Sequence, residues 1–173
     1  IAVLLSEFYS LSVRNKETHN FVYDLIGKKV PIVSDPTLLH NFYELTEGVL
    51  PVITGKYILV YILGADIKGG NDEAIEIIKK QTGIEKVVAI VLTENAPKVL
   101  DCATNTFYSA SLIEWLVLFK NASFVYTDSF HGVMFSLKYN RPFVTYYKEK
   151  DRASRFLDLE QRFGFENVVT NLE

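Results

Sequence analysis

Three reactive side chains lie close together where a short apolar run gives way to a helical pattern. The run at residues 124–126 predicts a buried strand, and Asp128, Ser129 and His131 follow it at the turn. In an open α/β sheet, ligands bind outside the carboxyl ends of the strands. A carboxylate, a hydroxyl and an imidazole at such a junction favour proton transfer to or from a bound substrate.

The residues of this turn have both a functional and a structural interpretation. His131 opens the helix beside Gly132, where unpaired N–H groups and the helix dipole suit a phosphate or a carboxylate. Glycine would let a ligand approach the backbone closely. A local hydrogen bond is the alternative for His131, and an N-cap role is the alternative for Asp128 and Ser129. For Asp128 we favour orienting the imidazole or acting as a base.

Other predicted strands also end in polar residues, which would meet the turn at one edge of a parallel sheet. Arg14 follows the first strand and is a candidate to bind an anion, with a surface ion pair as the alternative. We predict that Asp35 caps a turn, with substrate binding as the alternative. Gly64 begins a loop that we expect near the ligand cleft at this edge of the sheet. Tyr146 lies at a strand end where a sugar could stack.

The composition excludes several classes of protein. Of 173 residues, 49% are hydrophobic and 23% are charged, which is typical of a globular chain. The net charge of −3 and the absence of a basic run exclude an extended nucleic-acid surface. A single cysteine cannot form an internal disulfide or, by itself, a thiolate zinc site. We predict no cofactor and no metal.

Targeting signals are also missing from the sequence. No apolar run approaches the roughly 20 residues that span a bilayer. The apolar start has no basic flank and no cleavage site of the secretory type. We therefore expect a cytoplasmic protein. The chain has no initiator methionine, and we expect it to be a piece of a longer protein.

Strand and helix patterns alternate along the chain. The predicted strands cover residues 9–13, 30–33, 57–63, 86–92, 123–126 and 142–147. Apolar strands that alternate with helices indicate parallel βαβ units with both sheet faces covered. We predict an α/β fold with a Rossmann-like parallel sheet and helices on both faces.

A connector at residues 40–55, rich in turn residues, is the predicted domain boundary. Residues 1–50 would be the C-terminal βαβ remnant of a first Rossmann-like domain plus this connector. Residues 51–173 would form a second Rossmann-like domain.

Six short motifs keep a common order along most of residues 9–147. They are Ser12–Arg14, Ser34–Leu39, Tyr57–Gly64, Leu112–Ala122, Val125–Gly132 and Arg141–Phe143. In this order and spacing they resemble the polysaccharide pyruvyl transferase family. The resemblance implies a two-domain fold like that of the GT-B glycosyltransferases, of which residues 51–173 would form the C-terminal domain. Ser129 stands where some members carry arginine, which leaves the donor open.

The resemblance also implies a reaction and roles for the residues. A pyruvyl group would pass from phosphoenolpyruvate to a hydroxyl pair of a sugar in a cell-surface or exported polysaccharide, with release of phosphate. His131 would be the general acid, Arg14 the anion clamp and Asp128 the base or orienter, while N–H groups around Gly132 would help to hold phosphate. The implied substrate-binding residues are Ser129, Phe130, Gly132, Gly64, Asp35 and Tyr146.

Two other functions fit the same sequence. One is a glycosyltransferase that uses a nucleotide-sugar donor, and the other is a non-catalytic module that binds a sugar or a partner domain. A lipid-linked acceptor would bring the protein to a membrane surface. Loss of most of a first domain would leave an apolar interface exposed, so we expect the isolated chain to be inactive and to self-associate.

Overall fold

Six parallel strands form the sheet of the computed structural model, which describes residues 1–63, 70–92, 100–147, 150–165 and 169–171. In chain order they are β1 (Ile58–Tyr61), β2 (Val87–Val91), β3 (Asn105–Tyr108), β4 (Phe124–Thr127), β5 (Phe143–Tyr147) and β6 (Val169–Asn171). Their order in the sheet is β3-β2-β1-β4-β5-β6, and every neighbouring pair is parallel. This is the Rossmann order, in which the ligand crevice opens where the order reverses, between β1 and β4.

Helices cover both faces of this sheet. The described α-helices are α1 (Ala2–Glu7), α2 (Lys16–Ile26), α3 (Tyr43–Thr46), α4 (Asn71–Thr82), α5 (Leu112–Asn121), α6 (Phe130–Lys138) and α7 (Lys150–Phe163). Ile75 of α4 packs on one face, and Leu116 of α5 and Phe135 of α6 pack on the other. The predicted α/β architecture is confirmed. No described helix combines the length and the apolar character needed to cross a membrane.

Burial on both faces explains why the central strands read as continuous apolar runs. In β1, Ile58 and Val60 enter the core beneath α4, whereas Leu59 enters the core beneath α5. All three side chains are at most 2% exposed. Alternate residues of a strand point to opposite faces, so both sets must be apolar when helices cover both sides.

The strands that the sequence failed to predict lie at the edges of the sheet. β3 carries Asn105 and Thr106 and is only partly buried, which hides its apolar signal. β6 follows β5 at the opposite edge. Edge strands are short and polar in many proteins because one side of their backbone has no partner.

The first part of the chain is less regular than predicted. The strands expected at residues 9–13 and 30–33 are reduced to one parallel bridge, between Val13 and Ile32, on either side of α2. The buried core beneath them contains only Val13, Val22 and Val30. Too little apolar surface is buried there to support a longer ladder. Gly27 ends α2 in a left-handed conformation with φ of 67°.

Lys138 of α6 binds the first part of the chain through the segment that follows the bridge between Val13 and Ile32. A short 3₁₀ helix, Pro36–Leu38, lies against α6. Lys138 Nζ donates to the carbonyl oxygens of Thr37 and Leu38 at 3.0 and 3.4 Å. The ammonium also lies 5.3 Å from the ring centroid of Phe42. Burial lowers the pKa of Lys138. These contacts carry the residue before the 3₁₀ helix, Asp35, to the start of α6.

Candidate active site

The carboxyl ends of β4 and β1 are joined by side chains of the turn after β4. Thr127 Oγ1 donates to the carbonyl of Tyr61 at 2.5 Å and accepts from the N–H of Ser129 at 3.0 Å. Asp128 Oδ1 accepts from the N–H of Leu63 at 2.6 Å. The turn is therefore a rigid part of the switch point at which open α/β sheets bind ligands.

Ser129 caps the helix that carries the histidine. Its Oγ accepts from the N–H of Gly132 at 3.3 Å, so the capping alternative is realised. The N–H of Gly132 is thereby paired within the turn, which differs from its expected use in holding phosphate. Among the residues that the structure describes, the N–H groups of Phe130 and His131 are the donors left in this first turn.

Gly132 is needed for close packing of α6 on β4. A Cβ atom at this position would lie 2.3 Å from Thr127 Oγ1 and 2.9 Å from its Cγ2. Thr127 is fully buried, and its hydroxyl is held from two sides. The glycine therefore sets the distance between helix and strand at the site.

Four of the predicted site residues meet beside this turn. Arg14 Nη1 contacts Asp35 Oδ2 at 2.5 Å, and His131 Nε2 lies 3.9 Å from the same oxygen. The Arg14 guanidinium lies 5.5 Å from the ring centroid of Phe130, whose ring packs edge-on against the imidazole. The His131 side chain is 53% exposed, so a substrate can reach it.

Asp35 is the buried centre of this cluster. Its Oδ1 accepts from the N–H of Thr37 at 3.0 Å and from the Thr37 hydroxyl at 2.7 Å. Burial by itself raises the pKa of Asp35, but the hydrogen bonds from Thr37 and the charge of Arg14 outweigh it and hold the pKa below its ordinary value. The carboxylate is therefore ionised at neutral pH and forms an ion pair with His131 whenever the imidazole is protonated.

Replacing Asp35 with asparagine is expected to destabilise the protein at neutral pH by about 1.5–3 kcal/mol, because hydrogen bonds to a charged group are lost. The folded pKa lies below the ordinary value of 3.8, so the contribution is complete above that value and is lost as the pH falls through the folded pKa. Urea unfolding from pH 3 to pH 7 would show a gap between wild type and Asp35→Asn that closes towards acid. A constant gap would contradict the assignment.

Two predicted site residues have surroundings that differ from those expected, and a third lies outside the described residues. The described carboxylate within 4 Å of His131 is Asp35, whereas Asp128 accepts a hydrogen bond from the N–H of Leu63. Tyr146 is 1% exposed and cannot stack on a sugar, because its ring lies against Tyr126 inside the core. Gly64 lies outside the described residues.

Sequence reasoning missed the contribution of α7. Arg162 Nη1 donates to the carbonyl of Arg14 at 3.2 Å, and its Nη2 donates to Ser34 Oγ at 3.0 Å. The available signal was spacing, since Arg155, Asp158 and Arg162 recur on one helical face. This face lines a pocket together with Arg14 and Phe130.

The family model of the polysaccharide pyruvyl transferases matches residues 1–147, which include the Arg14, Asp35 and His131 cluster. The chain belongs to this family. Membership supports a transferase-type enzyme of polysaccharide metabolism and fits a site with a cation, a carboxylate and an exposed imidazole. No curated protein is significantly similar in sequence to this pyruvyl transferase family member.

A solved structure with a similar fold is the UDP-GlcNAc 2-epimerase of Methanocaldococcus jannaschii, in complex with UDP-GlcNAc and UDP. The TM-score is 0.60 at 15% sequence identity, over 79% of this chain and 44% of the epimerase chain. At this identity the likeness concerns the fold, which is GT-B-like. The family member spans less than half the length of that structure.

Proposed function

We propose that the protein transfers a pyruvyl group from phosphoenolpyruvate to two hydroxyls of a sugar, forming a cyclic ketal and releasing phosphate. The observation that carries the proposal is the convergence of Arg14, Asp35 and His131 in a chain of the pyruvyl transferase family. An exposed imidazole beside an ionised carboxylate suits proton delivery, and the guanidinium suits an anionic donor.

The steps balance with groups at the site. Protonated His131 donates a proton to the methylene carbon of phosphoenolpyruvate, which becomes the methyl group, and C2 becomes electrophilic. One sugar hydroxyl adds to C2 and gives its proton to His131, which is neutral after the first step. The second hydroxyl then displaces phosphate, its proton leaves with the phosphate, and the ketal ring closes. Arg14 and the N–H groups of Phe130 and His131 stabilise the anionic oxygens of the donor.

The proposed division into domains places this site in a cleft. Residues 1–50 would end a first domain, and residues 51–173 would form the second. The bridge between Val13 and Ile32 around α2 supports a βαβ remnant. The acceptor would enter from the side of the first domain, and a lipid-linked glycan would bring the protein to a membrane surface.

Phosphate release tests the proposal directly. The intact protein is incubated with phosphoenolpyruvate and a panel of sugar acceptors, and inorganic phosphate is measured over time. We expect release only with an acceptor, accompanied by a mass increase of the sugar that matches a pyruvyl ketal. Failure of every acceptor, together with no binding of phosphoenolpyruvate by calorimetry, would overturn the proposal.

A nucleotide-sugar donor is the second candidate. The switch point between β1 and β4 and the GT-B-like fold both favour it, because such folds accept a diphosphate at this crevice. Calorimetry with UDP-GlcNAc and with phosphoenolpyruvate separates the two candidates. Tighter binding of the nucleotide-sugar would favour glycosyl transfer over pyruvyl transfer.

A further inference from the structure

Three arginines border the pocket beside the Arg14 and Asp35 pair, and they differ in how their charges are matched. Arg14 lies against the ionised Asp35. Arg162 Nη1 lies 3.3 Å from Asp158 Oδ2 and is also bound to backbone and hydroxyl oxygens. Within the described part of the chain, the Arg155 guanidinium has no ion pair and no hydrogen bond. Of these three arginines, Arg155 is therefore the one whose charge no described carboxylate offsets.

The side of α7 that carries Arg155 faces the segment that carries Arg14. Phe156 and Leu159 are 2% and 3% exposed and anchor α7 in the core shared with α6. Arg155 and Arg162 are seven residues apart on one face of α7, and Arg162 already touches the backbone of Arg14. The opposite side of the helix is fixed, so this face remains turned towards the Arg14 segment.

Arg14 and Arg155 also line a second, more open groove, which shares these two arginines with the pocket and is lined mainly by polar residues. Its volume is about 490 Å³, within the range of about 300–1,000 Å³ that is common for small-ligand sites. Hydroxyls of Ser12, Thr18 and Ser154 also line it. Glu17 is the carboxylate among its described lining residues and balances part of the positive charge.

We propose that Arg155 is a substrate-binding residue that, with Arg14, holds an anionic oxygen group of the donor in this groove. This inference rests on the proposed function, since the anion would be the phosphate or the carboxylate of phosphoenolpyruvate. Asp35 offsets the charge of Arg14, whereas Arg155 supplies an unmatched cation. A planar guanidinium can bind either group with two parallel hydrogen bonds.

The test compares Arg155→Gln and Arg155→Lys in the intact protein, with Lys80→Gln on the exposed side of α4 as the control for loss of one positive charge. Calorimetric titration with phosphoenolpyruvate gives Kd. We expect about 10- to 100-fold weaker binding for Arg155→Gln. Arg155→Lys should recover part of the affinity, and Lys80→Gln should bind like the wild type. Circular dichroism and thermal unfolding check that each variant is folded.

The outcomes separate the inference from the function on which it rests. If the wild type binds phosphoenolpyruvate and Arg155→Gln binds it equally well, the inference is overturned and the proposed donor stands. If the wild type does not bind phosphoenolpyruvate, the proposed donor and its subsite both fall. If the wild type binds phosphoenolpyruvate and Arg155→Gln binds it more weakly, competition with inorganic phosphate and with pyruvate identifies the group that Arg155 holds. Only the competitor that carries this group should lose affinity in Arg155→Gln.

Discussion

Replacement of His131 with alanine is expected to lower the turnover number of the intact protein by about 10²–10⁴-fold, the range for loss of a general acid. The imidazole is half exposed at the start of α6 and lies 3.9 Å from Asp35 Oδ2, so in the proposed reaction it is open to the donor and lies beside a carboxylate. Loss of the imidazole removes the proton source but leaves the Arg14 clamp intact. The KM for phosphoenolpyruvate should therefore change much less than the turnover number.

The control for this prediction is His40→Ala, which removes another exposed imidazole from the same part of the molecule. His40 packs edge-on against Phe42, with ring centroids 4.6 Å apart. Its removal should leave turnover within about twofold of the wild type, as expected for a surface substitution. Steady-state phosphate release measures both variants. Near-normal turnover in His131→Ala would remove the histidine from the proton-transfer step.

The turn after β4 was predictable because its signals are local. An apolar run ends in Thr127, Ser129 caps a helix, and the apolar pattern of α6 follows at once. Each of these features depends on residues within a few positions of one another. The central strands were predictable for the related reason that burial on both faces leaves continuous apolar runs. β3 has neither signal, since its exposed edge tolerates Asn105 and Thr106.

The partners within the site were harder to predict because they come from distant parts of the chain. Asp128 is the carboxylate nearest to His131 in sequence, but among the described carboxylates Asp35 is the one within 4 Å in space. What brings Asp35 there is the docking of the 3₁₀ helix onto Lys138, a tertiary contact with no sequence period. Tyr146 was expected to be accessible to a sugar, but the structure buries it. It lies near a strand end, but its hydroxyl reaches Asn71 inside the core at 3.1 Å.

Replacement of Gly132 with alanine is expected to reduce the free energy of unfolding by about 1–3 kcal/mol, although alanine is the better helix former. Helix propensity alone would favour the variant by about 1 kcal/mol. The new methyl group, however, would lie 2.3 Å from Thr127 Oγ1. That hydroxyl cannot move away without losing its hydrogen bonds to Tyr61 and Ser129, and a buried polar group left unpaired costs about 1–3 kcal/mol. Urea unfolding of both proteins measures the difference.

A double-mutant cycle with Thr127→Ala identifies the cause of this destabilisation. Removing the threonine hydroxyl and its methyl group opens the space that the alanine methyl needs, so Gly132→Ala should cost less in the Thr127→Ala background than in the wild type. We expect a coupling of at least about 1 kcal/mol. Equal costs in the two backgrounds would show that some other contact limits residue 132. A cost that disappears would show that the glycine is kept for the distance between α6 and β4, which also sets the position of the His131 imidazole.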